Sequence, residues 1–194
     1  MVRWPQLLAC ALALVLSGCG SVPLTSIAPL ARIDAKTTDL SILRVAVQLP
    51  DALRPRAGGV KLDVVVKVTG EPEIKTSFAM TEVSDARERG ALPAPPAGAS
   101  STIYRLSPGD AARFDALRAS VLEQSGKGRK GSMGLGVAAR EFCRAGEGPS
   151  ARLPVTIYLM TSETRSFVPV VRDFDVLGDP ALAGGLASLD TCKP

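Results

Sequence analysis

Between Val60 and Val68, an apolar residue stands at every second position: Val60, Leu62, Val64, Val66 and Val68, with Lys61, Asp63 and Lys67 among the residues between them. In an extended chain successive side chains point to opposite faces, so this alternation predicts a β-strand with one face buried and one face wet. Leu43, Val45, Val47 and Leu49 repeat the pattern against Arg44, Ala46 and Gln48 until Pro50 ends it. The turn-rich stretch Arg54 to Gly59 between the two runs suits antiparallel neighbours. A third strand is expected over Ile74 to Val83, with Ile74, Thr76, Phe78 and Met80 on one face. Thr102 to Leu106, Val137 to Cys143, Leu153 to Ser162 and Ser166 to Val176 add further strands, and Glu163-Thr164-Arg165 is a hairpin turn between the last two.

One segment breaks the period of two. Ser107-Pro108-Gly109-Asp110 carries the marks of a helix start, with Ser107 as N-cap and Pro108 at the first helical position. Ala111, Phe114, Leu117 and Val121 then recur at helical spacing toward Gln124, an apolar stripe suited to lie across a sheet. Arg87 to Ser101, rich in proline, glycine and alanine, is expected to be an exposed loop. Pro93 and Pro96 have P-x-x-P spacing but no basic flank, so the linker reading is preferred. The fold class is α+β: a mostly antiparallel β-sheet or sandwich of six to seven strands with one main helix packed on it.

The N-terminus says where such a domain is delivered. Arg3 is the one charge between Met1 and Pro5, and Leu7 to Leu16 is an uncharged apolar run. That is the layout of a secretory signal peptide, and the run is shorter than the roughly 20 residues a spanning helix needs. Leu16-Ser17-Gly18-Cys19 resembles the lipobox of bacterial lipoproteins, a resemblance confined to about the first twenty residues. It implies that residues 1–18 are removed and that Cys19 receives diacylglycerol on its thiol and an acyl chain on its new amine. Several chains at about 0.8 kcal/mol per buried methylene make a durable anchor. Gly20 rather than Asp after Cys19 implies, by resemblance to enterobacterial sorting, the outer membrane, on its periplasmic side. Residues 19–39 read as a lipid-anchored tether and 40–194 as one globular domain.

Composition then narrows the function. The chain has 194 residues and a formal net charge of +4, too mild a balance to point to nucleic acid. Histidine is absent, and the single tryptophan, Trp4, lies within the signal segment. Of four cysteines, Cys10 leaves with the signal and Cys19 takes lipid, so Cys143 and Cys192 remain. In an oxidising compartment they are expected to form a disulfide, and closing a loop of about 50 residues contributes about 4 kcal/mol on the chain-entropy model.

The best candidate site is the glycine-rich basic stretch from Ser125 to Gly136. Backbone amides freed by glycine can form an anion-binding nest, to which Lys127, Arg129, Lys130 and Ser132 add charge and a hydroxyl. A phospholipid headgroup or lipopolysaccharide phosphate fits that chemistry; the competing reading is a solvated loop between helix and strand. The stretch is not a P-loop, because the Lys-Ser/Thr pair is missing and it leaves a helix instead of entering one. Lys130-Gly131-Ser132-Met133-Gly134 approaches a nucleophile elbow, but with Lys at the first glycine and no histidine to take the proton a Ser-His hydrolase is excluded, and no S-x-x-K pattern occurs. The run from Asp173 to Asp179 resembles a calcium loop but departs at Leu177 and lacks the later glutamate. As an acid/base couple, Asp173 and Asp175 need a cleft between them. No metal or cofactor is expected.

The resulting expectation is a membrane-anchored cell-envelope lipoprotein that acts as a non-catalytic structural, adaptor or binding component with an envelope protein partner. The alternative is a lipid- or anionic-ligand-binding accessory of an envelope transport system. An enzyme with a carboxylate-based site ranks third.

Overall fold

The computed structural model describes residues 23–146, 152–178 and 189–192. In chain order the elements are α1 (Leu24–Leu30), β1 (Arg44–Pro50), β2 (Leu53–Pro55), β3 (Val60–Val68), β4 (Ile74–Val83), α2 (Ala86–Arg89), β5 (Ala99–Leu106), α3 (Pro108–Gly126), β6 (Gly131–Ala139), β7 (Phe142–Arg144), β8 (Pro154–Met160) and β9 (Val168–Asp175). Seven strands make one antiparallel sheet in the order β6-β3-β4-β5-β1-β8-β9, and β2 pairs with β7 in a small second sheet. The fold is α+β, mostly β, with one main helix.

The alternating runs bury the faces their sequences mark. Val60, Leu62, Val64 and Val66 of β3 are buried while Lys61, Asp63 and Val65 are less so, and Val45, Val47 and Leu49 of β1 enter the same core. Ala46 on the opposite face of β1 is also buried, in a smaller cluster with Val83, Ile103 and Tyr158 that Leu92 and Phe167 cover. The centre of the sheet is therefore dry on both sides. In β4 only Phe78, Met80 and Val83 are buried; Ile74, expected on the same face, is exposed.

Helix α3 starts as its sequence predicts: the Asp110 backbone N–H donates to Ser107 Oγ at 3.1 Å, and Pro108 occupies the first turn. Phe114 and Val121 are buried against the sheet, with Ala111 and Leu117 beside them. The Phe114 ring lies 5.7 Å from that of Phe78 at a tilt of 41°, a favoured aromatic geometry.

Three segments differ from the sequence reading. Residues 24–30, expected within a tether, form α1, and the segment after it is bonded into the domain: Thr38 is buried, its hydroxyl reaches Glu163 Oε2 at 2.9 Å, and its carbonyl accepts from Arg118 Nη2 at 2.9 Å. The expected loop 87–101 is bounded by α2 and by β5, which begins at Ala99 because its backbone pairs with Pro50. The strand expected over 137–143 is two strands, since Arg140 and Glu141 turn the chain away from β3 and send it to β2.

Candidate functional site

The glycine-rich stretch 125–136 divides between a helix end and a strand. Gly128, at φ +80°, occupies the left-handed position that follows a helix C-cap, where glycine has no Cβ penalty. The Gly128 N–H donates to the Ser125 carbonyl at 3.0 Å and the Arg129 N–H to the Gln124 carbonyl at 3.1 Å. These two bonds form a Schellman motif, which satisfies the last carbonyls of α3. The amides expected to form an anion nest are thus directed into the helix.

The side chains in this stretch are divided in the same way. Lys127 pairs with Glu123 at 2.6 Å one turn back along α3, and Arg129 pairs with Glu71 in the turn after β3. Lys130 has no ion-pair partner among the described residues; it borders an open hollow of about 330 Å³ together with Lys67, Thr69 and Ser132. Ser132 lies inside β6 opposite Lys67, and not on a strand-to-helix elbow.

What the second half of the stretch builds is the edge of the main sheet. Gly131 lies where α3 crosses over β6: a Cβ there would stand 3.0 Å from Val121 Cγ1. Across β6 the register with β3 is unbroken from Val60↔Ala139 to Val68↔Gly131. The Thr69 N–H donates to the Lys130 carbonyl and the Arg140 N–H to the Gly59 carbonyl, so even-numbered positions bond inward to β3. By the alternation of an antiparallel ladder, Gly131, Met133, Leu135, Val137 and Ala139 direct their N–H and C=O groups to the open side. No strand among the described residues pairs there.

The two edges of the sheet are built differently. β9 contains Pro169, charged Arg172 and Asp173, a positive φ of 49° at Asp173 and register shifts against β8, and α1 lies against it. Proline, charge and irregularity are the devices by which natural sheets close their edges to other chains. β6 has none of these: its nine residues hold no proline and no charge, and charged residues appear only beyond its ends, at Lys130 and Arg140. Its outward-facing residues Ser132, Gly134, Gly136 and Ala138 are small, so an approaching backbone meets no bulky side chain. The arrangement is competent for β-strand addition.

A second concavity, of about 510 Å³, lies between the segment 37–41, the end of β5 and the start of α3. Three guanidiniums border it. Arg44 bonds Glu88 through Nε at 2.6 Å and the Ser41 carbonyl through Nη1 at 2.7 Å. Arg118 lies over the Phe114 ring at 5.2 Å, meets Asp115 at 3.2 Å and leaves a buried Nε without a partner. Arg105 is exposed and has no ion pair among the described residues. Asp39 faces the same space; the Ser41 hydroxyl and backbone N–H, with Arg118 adding to them, hold its carboxyl below the usual range. With Asp39, Asp115 and Glu88 opposing the three arginines, the concavity is close to neutral, and two of its arginines serve to clasp residues 38–43. Sequence reasoning missed it because Arg44, Arg105 and Arg118 come from three separate elements.

Cys143 and Cys192, 49 residues apart in sequence, are at disulfide distance, with Sγ atoms 2.07 Å and Cα atoms 4.9 Å apart. The chain around Cys192 also bonds to β7, the Cys192 N–H donating to the Arg144 carbonyl at 2.8 Å. Asp175 Oδ1 accepts the N–H groups of Leu153 and Leu177, which lowers its pKa, Leu153 contributing most. Asp173 faces Thr156. The two carboxylates expected as a calcium or acid/base pair thus organise the β8–β9 backbone, and among the described residues no group of three or more His, Cys, Asp or Glu side chains is placed to hold a metal. Cys19, residues 1–18 and the far end of the Asp173 to Asp179 run lie outside the described residues. No family model, curated protein or solved structure matches the chain.

Proposed function

We propose that this chain is a lipid-anchored, non-catalytic adaptor of the bacterial cell envelope, held through Cys19 to the periplasmic side of a membrane, the outer membrane being favoured, and recruiting an envelope protein by strand addition at β6. The observation that supports the adaptor reading is the contrast between the guarded β9 edge and the bare β6 edge. The lipobox-like segment and the Cys143–Cys192 pair both suit an oxidising envelope compartment.

A photo-crosslinking residue at position 134 in intact envelopes tests it. The expected result is one defined crosslinked species that is absent when the crosslinker sits at exposed Arg172 on the opposite edge. Gly136→Lys, which places a charge on the edge, is expected to abolish that species. A Cβ at Gly136 meets its nearest atom at 3.7 Å, an ordinary contact, so the fold accommodates the change. Equal crosslinking at 134 and 172, or crosslinking unaffected by Gly136→Lys, refutes the edge as the site. Cys19→Ala is expected to release the protein from membranes washed with carbonate and salt; full retention refutes the anchor.

The second reading, an accessory that binds a lipid or another anionic ligand, draws on Arg105 and the buried Nε of Arg118 at the 510 Å³ concavity. Mass spectrometry of lipid extracted from the purified protein, followed by phospholipid titration, separates the two. Absence of bound lipid and of any response to phospholipid eliminates the carrier.

A further inference from the structure

Helix α1 is built inside out. Ser26 is its buried residue, with an Oγ that finds no partner, while Leu24 is 84 % exposed and Ile27 54 % exposed. Ala28 and the C-cap residue Ala31 are exposed as well. Positions 24, 27, 28 and 31 follow the i, i+3, i+4, i+7 spacing that defines one side of a helix. On a helix packed on a globular domain that stripe ordinarily faces the core; here it faces away.

The place of this stripe in the chain says what it meets. Only Gly20, Ser21 and Val22 separate Cys19 from Pro23, where the described structure begins. From Cys19 to Leu24, five residues of fully extended chain reach no more than about 18 Å. The headgroup layer of a bilayer is itself about 5–7 Å deep. A domain lipidated at Cys19 therefore has α1 at the membrane surface, not at the end of a long stalk. The segment after α1 cannot lengthen that stalk either, because Thr38 and Asp39 are bonded to Ser162, Glu163 and Arg118. Arg32, exposed just past the helix and without an ion pair among the described residues, stands where a cation meets headgroup phosphates.

We infer that the outward stripe of α1, Leu24, Ile27, Ala28 and Ala31, is seated in the interface of the bilayer that carries the Cys19 lipid, and so fixes the orientation of the domain on the membrane. The inference rests on the lipidation of Cys19 proposed above. α1 lies against β9, and β6 is at the opposite edge of the sheet. Seating α1 on the bilayer holds the bare edge away from it, where a partner strand has access.

The test uses the absence of tryptophan downstream of Trp4. Ile27→Trp, at a side chain already more than half exposed, gives the processed protein a single tryptophan on the stripe. The lipidated protein is reconstituted into vesicles of phosphatidylethanolamine and phosphatidylglycerol with acyl chains brominated near the headgroup. The expected result is a blue-shifted emission that the bromolipid quenches, whereas Ser132→Trp on β6 emits as in water and is not quenched. Intact-mass measurement of the same samples reports the lipid on Cys19. Lipid present with an unquenched Ile27→Trp overturns the seating and leaves the anchor standing; lipid absent overturns both. A blue shift that depends on protein concentration and not on bromolipid shows a second copy on the stripe and overturns the seating too.

Discussion

Replacing Phe114 by Ala removes the side chain that seats α3 on the sheet. The ring is fully buried, in contact with Phe78 on β4 and covered by the Arg118 guanidinium at 5.2 Å. Truncation of a buried phenylalanine costs about 3–5 kcal/mol, transfer and cavity together. The lost ring pair and the lost cation contact, about 1 kcal/mol each, place this site in the upper part of that range. Phe114→Leu keeps most of the apolar volume and is expected to cost about 1.5–2 kcal/mol, chiefly for the two ring-specific contacts. Urea unfolding followed by circular dichroism measures both, and the reasoning requires that the slope with denaturant stay constant while the midpoint falls. A loss below about 1.5 kcal/mol for Phe114→Ala would show that α3 is not held by this ring. A Phe114→Leu loss near zero would show that the aromatic contacts contribute nothing, and equal losses for the two variants would show that the apolar volume kept by Leu contributes nothing.

Three further outcomes follow from other parts of the molecule. Reduction of the Cys143–Cys192 bond is expected to lower stability by about 4 kcal/mol on the chain-entropy model, read as a shift of the urea midpoint with dithiothreitol; an unchanged midpoint would show that residues 143 and 192 are not linked in the native protein. Tyr104 has its phenol pushed up to about 12 by burial first and by Glu82 second, and burial raises Tyr158 as well. Stability from these groups is complete below the unfolded value near 10 and is lost as pH rises toward 12, so phenolate absorbance should appear together with unfolding; either of the two tyrosines titrating near pH 10 in a folded chain would contradict the burial. Asp110 is held below the ordinary carboxylate value by the Ser107 hydroxyl and then by Arg113. That contribution is present above about pH 4 and fades as pH falls below it, so Asp110→Ala should reduce stability at pH 7 and leave it little changed at pH 2.

The strands with strict alternation were legible because a sheet covered on one face forces the period of two onto its sequence. β3 matches its expected bounds, and β1 differs by one residue at each end. The start of α3 was legible for a local reason, since the cap and the first turn are satisfied by neighbours within three residues. β2 and β7 were not, because three-residue strands carry no period. The first half of β6 reads as loop because Gly131, Gly134 and Gly136 suggest freedom, yet Met133, Leu135 and Val137 keep the alternation that marks the strand. α1 was hidden by Pro23 and Pro29 and by an apolar stripe on its outer side. Of the candidate residues, Lys127, Arg129, Lys130 and Ser132 are neighbours in sequence but point to different structural tasks, and with glycines at 126, 128 and 131 the sequence does not single out the one that closes the helix end. The bare edge emerges only from strand order, which depends on pairings between residues tens of positions apart.

The route by which the chain enters its sheet also sets how the domain bears mechanical load. Tension applied at the N-terminal end passes through α1, meets the Thr38, Asp39 and Arg118 bonds, and then runs into β1. β1 lies between β5 and β8, bonded along both sides. Pulling it lengthwise has to shear two ladders together, whereas an edge strand peels from one, bond by bond. Force at this end is thus taken by a strand tied along both sides, and β6 lies four strands away from that path.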